Sequence, residues 1–335
     1  MKISRLVIMI LVMAMVLGVA TSCANTATTA SPTTTGSTTT ATTAATTAAT
    51  TTAGEKLKFG FSVAILDNPY FIEVANGFKD ACAENGIEAV INDAKYDATE
   101  QYNQMENYIS MGVDAICVAP VDAKSLEAVV AKAQEGGIRV ISEAQGISNA
   151  DANVIVDDYK YGVANGENVS KWINEKLDGK GKVLILSLDN VEAVILRGNG
   201  IQDTIKANCP DAVIVARQMA TTIEEAMKVT ETVLQANPDV NVIACVNDQL
   251  ALGAFEAVKN MNIDDVNFFI GGADNTAEMI TKMKEAGSLL RSTIDIDPYG
   301  TGKKCVEVML ANLKASEGGK NYFFEMIPVW QSDLK

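Results

Sequence analysis

Histidine is absent from the 335-residue sequence, and this absence removes several kinds of active site at once. Without histidine there is no Ser-His-Asp triad, no Cys-His nucleophile pair and no zinc site with a histidine ligand. Basic residues are also few: the 27 Lys and Arg are outnumbered by 42 Asp and Glu, which gives a formal net charge of −15. The composition therefore argues against general affinity for nucleic acid, and the acidity favours solubility.

Cysteine motifs suited to metal or redox chemistry are lacking too. The five cysteines that follow Cys23 are widely spaced and include no Cys-x-x-Cys pair. Cys117 and Cys245 lie inside apolar segments, so buried thiols are expected. Since no base–nucleophile constellation is visible either, we predict no catalytic residue, no metal and no cofactor.

The N-terminus is typical of an export signal. A short basic start precedes a continuous apolar run over residues 6–20, and small residues follow it up to Cys23. The run is too short for an ordinary membrane-spanning helix, and its end resembles a bacterial lipoprotein cleavage site. That resemblance implies a signal peptide over residues 1–22 and lipid on Cys23, which would hold the protein at the outer face of the cytoplasmic membrane. The alternative is plain secretion, for example into a periplasm.

The segment that follows is almost entirely Thr and Ala. It cannot bury a core, and β-branched Thr is a poor helix former, so residues 23–55 are predicted to form a disordered tether.

From residue 56 onward, apolar strand patterns alternate with helical patterns that end at glycine. This alternation is typical of a doubly wound parallel sheet, and it starts afresh after Asp157. The second series includes a helix at 195–207 and a strand at 266–270. We therefore predict an α/β fold of two doubly wound parallel-sheet lobes.

A last helix at 299–315 and a last strand at 322–329 remain. We place the helix back on the first lobe and the strand near the boundary. The predicted lobes are residues 56–157 with 296–324, and residues 158–295 with 325–335. Three connecting segments, near Asp157, Asp295 and Glu325, would form a hinge suited to closure around a ligand.

Polar and aromatic side chains follow the first strand, within residues 59–71. Ligands bind at the carboxyl ends of the strands in open parallel sheets. Asn68 can donate and accept hydrogen bonds, and the rings of Tyr70 and Phe71 can lie on the C–H face of a sugar. The alternative is an ordinary helix start with both rings in the core.

Later strand ends carry similar groups. Asn247 and Asp274 each follow an apolar strand, and Arg197 precedes a short Gly-Asn-Gly segment. Taken singly, Asn247 and Asp274 could equally be helix caps. Together with Asn68, the three residues would form a ring of planar groups that satisfy hydroxyls in fixed directions.

These motifs resemble the ribose-binding-protein family, the exported sugar-binding proteins of bacterial ABC importers. The resemblance covers residues 56–329 and implies the type I periplasmic binding protein fold, a small sugar-like ligand, and an ABC permease and ATPase as partners. It implies ligand contacts at six positions: Asn68, Tyr70, Phe71, Arg197, Asn247 and Asp274. We also predict a monomer.

Several family contacts are replaced in this chain. The family usually places Asp-Arg where this sequence has Ala144 and Gln145, with Glu143 beside them. Without that arginine the site lacks a cationic side chain that can donate two hydrogen bonds at once to the ligand. We predict that ribose itself is not the ligand, that Glu143 or Gln145 contacts whatever is, and that the pocket is roomier or more apolar. Further departures from the family pattern occur at Ala119, Thr222 and Ile296.

The leading hypothesis is a lipid-anchored solute-binding protein that captures a sugar or sugar-like polyol for an ABC importer. The alternative of a different class is a sensory module that presents ligand to a chemoreceptor or sensor kinase. An enzyme on this scaffold is disfavoured, and so is a transcription regulator, because the N-terminus carries an export signal instead of a helix-turn-helix.

Overall fold

The computed structural model describes residues 56–316 and 318–335, so Cys23 and the predicted signal and tether lie outside the described part. No helix in that part is both long and apolar enough to cross a membrane. Its elements, in chain order, are β1 (Lys58–Val63), α1 (Pro69–Glu84), β2 (Glu88–Asp93), α2 (Ala98–Met111), β3 (Ala115–Val118), α3 (Ala123–Glu135), β4 (Arg139–Ala144), β5 (Ala152–Ile155), α4 (Asp158–Lys176), β6 (Lys182–Ser187), α5 (Glu192–Asn208), β7 (Val213–Met219), α6 (Ile223–Ala236), β8 (Val242–Cys245), α7 (Asp248–Asn260), β9 (Phe269–Gly271), α8 (Ala277–Met283), β10 (Leu290–Asp295), α9 (Pro298–Lys314), β11 (Lys320–Phe323), β12 (Ile327–Trp330) and a 3-10 turn (Gln331–Asp333).

The strands form two six-stranded sheets. The first has the order β11-β5-β4-β3-β1-β2 and the second the order β12-β10-β9-β8-β6-β7. All pairings are parallel except that of β12, which runs antiparallel to β10 at the edge of the second sheet. The chain passes from one sheet to the other after β5, after β10 and after β11. The predicted pair of doubly wound lobes joined by three segments is therefore confirmed.

Glycines allow one helix pair in each lobe to pack closely. A Cβ on Gly302 of α9 would lie 2.0 Å from the backbone oxygen of Val74 in α1. In the second lobe, a Cβ on Gly200 of α5 would lie 2.3 Å from the backbone oxygen of Tyr159 in α4. Glycine is a poor helix former, so its presence inside these helices is explained by the close approach of the backbones. The contact between α9 and α1 attaches the late helix to the first sheet.

The predicted final strand at 322–329 is wrong, because two strands occupy this region. β11 ends at Phe323 in the first sheet, and β12 begins at Ile327 in the second. Pro328 lies within β12, where an edge strand tolerates the missing N–H group.

The predicted strand at 266–270 also begins too early. The Asp265 carboxylate accepts a hydrogen bond from the Asn267 amide, which forms a turn, and Val266 is 74% exposed. The strand starts only at Phe269.

Candidate ligand-binding site

A cavity lies where the carboxyl ends of strands from both sheets meet. The cavity volume, measured as the space open to the centre of a water molecule, is about 80 Å³. A buried water needs ~10–15 Å³ by this measure, so the cavity has room for several water-sized groups, which suits a small molecule. Its lining residues follow β1 to β6 and β8 to β10, or lie at the start of α5: Ala64, Asn68, Tyr70, Phe71, Tyr96, Pro120, Ala144, Gln145, Val156, Asp158, Leu188, Val191, Ala193, Val194, Arg197, Asn247, Asp274 and Ile296.

Seven of the eight sequence-predicted ligand residues line this cavity, and Glu143 does not. Tyr70 and Phe71 sit on the wall with their rings 5.1 Å apart in an edge-to-face arrangement. Gln145 also lines the cavity, and its Nε2 donates a 3.0 Å hydrogen bond to the backbone oxygen of Pro120. The fold thus brings together side chains up to about 200 positions apart in the sequence (Asn68 to Asp274).

Both asparagines on the wall are helix caps. Oδ1 of Asn68 accepts a hydrogen bond from the Tyr70 amide at the start of α1, and Oδ1 of Asn247 accepts one from the Leu250 amide at the start of α7. The Nδ2 group of Asn68 donates to Oε1 of Gln249 in the other lobe. Capping and lining the cavity are therefore compatible, because a cap uses only the amide oxygen. The cap reading of Asp274 is wrong, since Thr276 caps α8.

Arg197 lies in the cavity wall with its charge balanced by a neighbour. Its Nε and Nη2 donate to Oδ1 of Asp158 at 2.9 and 2.7 Å, and its Nη1 donates to the backbone oxygen of Val246. The guanidinium also lies over the ring of Tyr161, 4.4 Å from its centroid. These contacts fix the plane of the guanidinium, and two of its five N–H groups remain available for a ligand.

Asp274 is buried and held by Tyr161, whose hydroxyl donates a 2.9 Å hydrogen bond to Oδ1. Burial, followed by the nearby Asp248 carboxylate, raises the pKa of Asp274 well above its usual value. Its backbone φ is 125°, a strained region for a residue with a side chain. Such strain is often retained where it places a group for function, and here it leaves Asp274 on the cavity wall.

Glu143 lies behind the wall and is fully buried. Its Oε1 accepts a 2.6 Å hydrogen bond from the Tyr70 hydroxyl, while Oε2 has no partner. Burial raises the pKa of Glu143 to about 7, although the Tyr70 hydrogen bond opposes that shift. The residue therefore orients Tyr70 in this arrangement instead of lining the cavity itself.

Sequence reasoning missed several residues of the site. Asp158 and Tyr96 line the cavity, and each follows a strand, so the rule that located Asn247 would have found them. Val191, Ala193 and Val194 were missed because the helix was predicted to begin at residue 195, whereas α5 begins at Glu192.

Among residues 56–316 and 318–335, no cluster of three or more Cys, Asp or Glu side chains could hold a metal ion. All five cysteines of this part are buried free thiols. The polar groups of the site are thus amides, carboxylates, phenols and one guanidinium, which suit the recognition of hydroxyl groups.

Comparison with known proteins identifies the class. The family model described as "Periplasmic binding protein domain" matches residues 59–318, and the chain belongs to this family, with the type I fold. It is 27% identical to the ribose import binding protein of Bacillus subtilis (76% of this chain, 82% of that protein) and 31% identical to a xylitol-binding protein of Mycolicibacterium smegmatis (70% and 68%).

A crystal structure of a similar protein supports the same assignment. The periplasmic solute-binding protein of an ABC transporter from Actinobacillus succinogenes, solved with bound D-allose, superposes with a TM-score of 0.74 at 27% identity. The match covers 83% of this chain and 98% of that one. The family consists of solute-binding proteins, so the chain is a binding protein and not an enzyme.

Proposed function

We propose that this protein is an extracytoplasmic solute-binding protein that captures a sugar or sugar-like polyol between its lobes for an ABC importer. The observation that carries this proposal is the cavity between the two sheets, lined by Asn247, Asp274 and Arg197 on one side and by Tyr70 and Phe71 on the other. Closure of both lobes around one molecule turns contacts on each into affinity, and an importer can recognise the closed form.

The charges on the wall favour an uncharged ligand. Arg197 is the only cationic side chain among the residues described on the wall, and Asp158 neutralises it through two hydrogen bonds. A phosphate or carboxylate would lack a free cation and would lie near Asp274. Hydroxyl groups, in contrast, can donate to Asp274 and accept from Arg197 or from Nδ2 of Asn247.

We further propose that ribose is not the ligand, because Ala144 provides a methyl group where the family places a carboxylate. Our proposal includes lipid on Cys23, a monomeric state, an ABC permease and ATPase as partners, and lobes bounded at residues 157, 296 and 324. The alternative is that the protein is exported to the periplasm without lipid on Cys23, and in that case its ligand-binding role is the same.

A thermal-shift screen of the purified protein against pentoses, hexoses and polyols tests the function. A ligand that binds only the folded state raises the melting temperature in proportion to the logarithm of its concentration over Kd. We expect a neutral polyol to give a shift that grows with its concentration, and isothermal titration to show one site per chain. Absence of a shift with every sugar and polyol, together with a shift by an amino acid or an organic acid, would overturn the proposal.

A further inference from the structure

Several polar groups at the end of β4 make hydrogen bonds within the protein. Nε2 of Gln145 donates to the backbone oxygen of Pro120, and the Ser142 hydroxyl donates to the backbone oxygen of Gln145. The Tyr70 hydroxyl donates to the buried carboxylate of Glu143. On this side of the cavity one N–H group of the Gln145 amide is held by Pro120, and beside that amide the wall consists of the methyl group of Ala144 and the ring of Pro120, which offer no hydrogen-bonding group.

Apolar groups of the second lobe line the cavity on this same side. Val191 and Gln145 both line the cavity and also a neighbouring surface groove, so the start of α5 and the end of β4 lie near each other at the cavity mouth. Ala193 and Val194 continue the apolar surface of α5. We call the surface formed by Pro120, Ala144, Val191, Ala193 and Val194 the apolar wall.

The unused hydrogen-bonding groups belong to a separate, connected cluster. Arg197 contacts Asp158, the Val246 backbone oxygen and the ring of Tyr161, and Tyr161 in turn donates to Asp274. In this cluster the second oxygen of Asp274 and two N–H groups of Arg197 are not used by the hydrogen bonds described above. The cavity thus combines this hydrogen-bonding cluster with the apolar wall.

We propose that the ligand matches this division and is a sugar or polyol with one edge that carries no hydroxyl, as in a deoxy or C-methyl sugar. This inference rests on the proposed function and names the substrate class of the same site. A hydroxyl placed on the apolar wall would lose its water without gaining a partner, whereas a methyl or methylene group gains by leaving water. A single buried group of this size changes the ratio of the two ligands' affinities by about tenfold or more.

Matched ligand pairs test the proposal by isothermal titration on the purified full chain. Suitable pairs are 6-deoxy-D-galactose with D-galactose, and L-rhamnose with L-mannose. We expect at least one deoxy sugar to bind about tenfold or more tightly than its hydroxylated partner. If the hydroxylated member binds equally or more tightly in every pair that binds, the inference is overturned while the proposed function stands. If no sugar or polyol binds, the proposed function itself fails.

The variant Ala144→Asp provides a second arm. Ala144 has a φ of 60°, a left-handed conformation that Asp adopts more readily than most residues, so the backbone accommodates the change. The new carboxylate should reduce or reverse the preference for the deoxy sugar. Ala83→Asp, on the exposed surface of α1, is the matched control and should leave the preference unchanged. An unaltered preference in folded Ala144→Asp would contradict the apolar wall, and the wild-type pairs decide the question if that variant does not fold.

Discussion

The backbone oxygen of Arg197 occupies the space in which Gly162 would carry a side chain. A Cβ built on Gly162 would lie 1.9 Å from that oxygen, far inside van der Waals contact. The glycine in α4 therefore sets how closely α5 approaches, and with it the position of the Arg197 guanidinium above Tyr161 and beside Asp158. A residue outside the cavity wall thus determines the geometry of a residue on it.

Gly162→Ala should weaken ligand binding as well as stability. The added methyl group must push α5 away from α4, at a cost of about 1–3 kcal/mol in unfolding free energy. Because Arg197 moves with α5, we expect the ligand affinity to fall about tenfold or more in isothermal titration. Gly302→Ala is the matched control, since its Cβ would meet the Val74 oxygen at 2.0 Å in the other helix pair. Equal loss of affinity in both variants would show that overpacking alone is responsible.

Asn247→Ser should separate the two roles of Asn247. Serine caps a helix about as well as asparagine, so the melting temperature without ligand should stay close to that of the wild type. Serine lacks the Nδ2 donor, and we expect the ligand affinity to fall about tenfold. Asn247→Ala removes the cap as well and should also cost about 1 kcal/mol of stability. Unchanged affinity in Asn247→Ser would mean that the residue is only a cap.

Glu143→Gln should change how stability depends on pH. The pKa of Glu143 is about 7 in the folded protein and near its usual value of 4.5 when unfolded. Because the pKa is raised, the protonated Glu143 side chain contributes to stability in full below pH 4.5, and this contribution is lost as the pH rises through about 7. The variant cannot ionise, so it does not lose this stability. Its unfolding free energy relative to wild type should therefore increase by on the order of 3 kcal/mol between pH 4.5 and about pH 7, and then level off.

Denaturant unfolding at pH 5, 6, 7 and 8 measures this difference. Glu135→Gln, at an exposed position at the end of α3, serves as the control. A constant difference for Glu143→Gln would show that Glu143 ionises normally in the folded protein.

Glu73→Ala should shift the lobes toward an open arrangement. Oε1 of Glu73 in α1 accepts a 2.5 Å hydrogen bond from the Ala277 amide at the start of α8, which links the two lobes outside the cavity. Removing this link lowers the closed fraction, and the apparent Kd rises by the same factor. We expect a severalfold weaker affinity and a larger radius of gyration by small-angle X-ray scattering without ligand. Glu73→Gln keeps a hydrogen-bond acceptor, so its Kd should lie between those of the wild type and Glu73→Ala. An unchanged Kd in Glu73→Ala would contradict the proposed link.

Cys23→Ser tests the proposed lipid anchor. Expressed with its own N-terminus in a bacterium that processes lipoproteins, the wild-type protein should fractionate with membranes, because several acyl chains on one residue hold a protein there. The variant should appear in the aqueous fraction, and mass spectrometry of the N-terminal peptide should lack the lipid mass. Identical fractionation and mass of the two proteins would rule out lipidation.

The fold was predictable because its signals are local and repeated. Alternating strand and helix patterns indicate parallel sheets whatever the later packing, and Asn68, Arg197, Asn247 and Asp274 were located by the rule that ligands meet strand ends. Near the C-terminus a crossing was placed near Glu325, but the apolar residues on both sides of Glu325 look like one strand, whereas they belong to two strands in different sheets.

The details of the site depend on contacts between distant residues, which no local pattern carries. Glu143 was predicted to contact the ligand, but nothing in its neighbourhood indicates that its carboxylate is buried beneath Tyr70. The pairing of Tyr161 with Asp274 joins positions 113 residues apart. The first turn of α5 was missed because Val191 offers no side-chain cap to mark the helix start.

The edge strand β11 has a consequence for how the chain is made. Asn321 pairs with Asn153, 168 positions earlier, so the first sheet remains incomplete until the chain has been synthesised through β11. Until then the outer edge of β5 is an open template for strands of other molecules. Fragments that stop before residue 320 should therefore aggregate, and we expect a nascent chain to be exposed at that edge until β11 emerges.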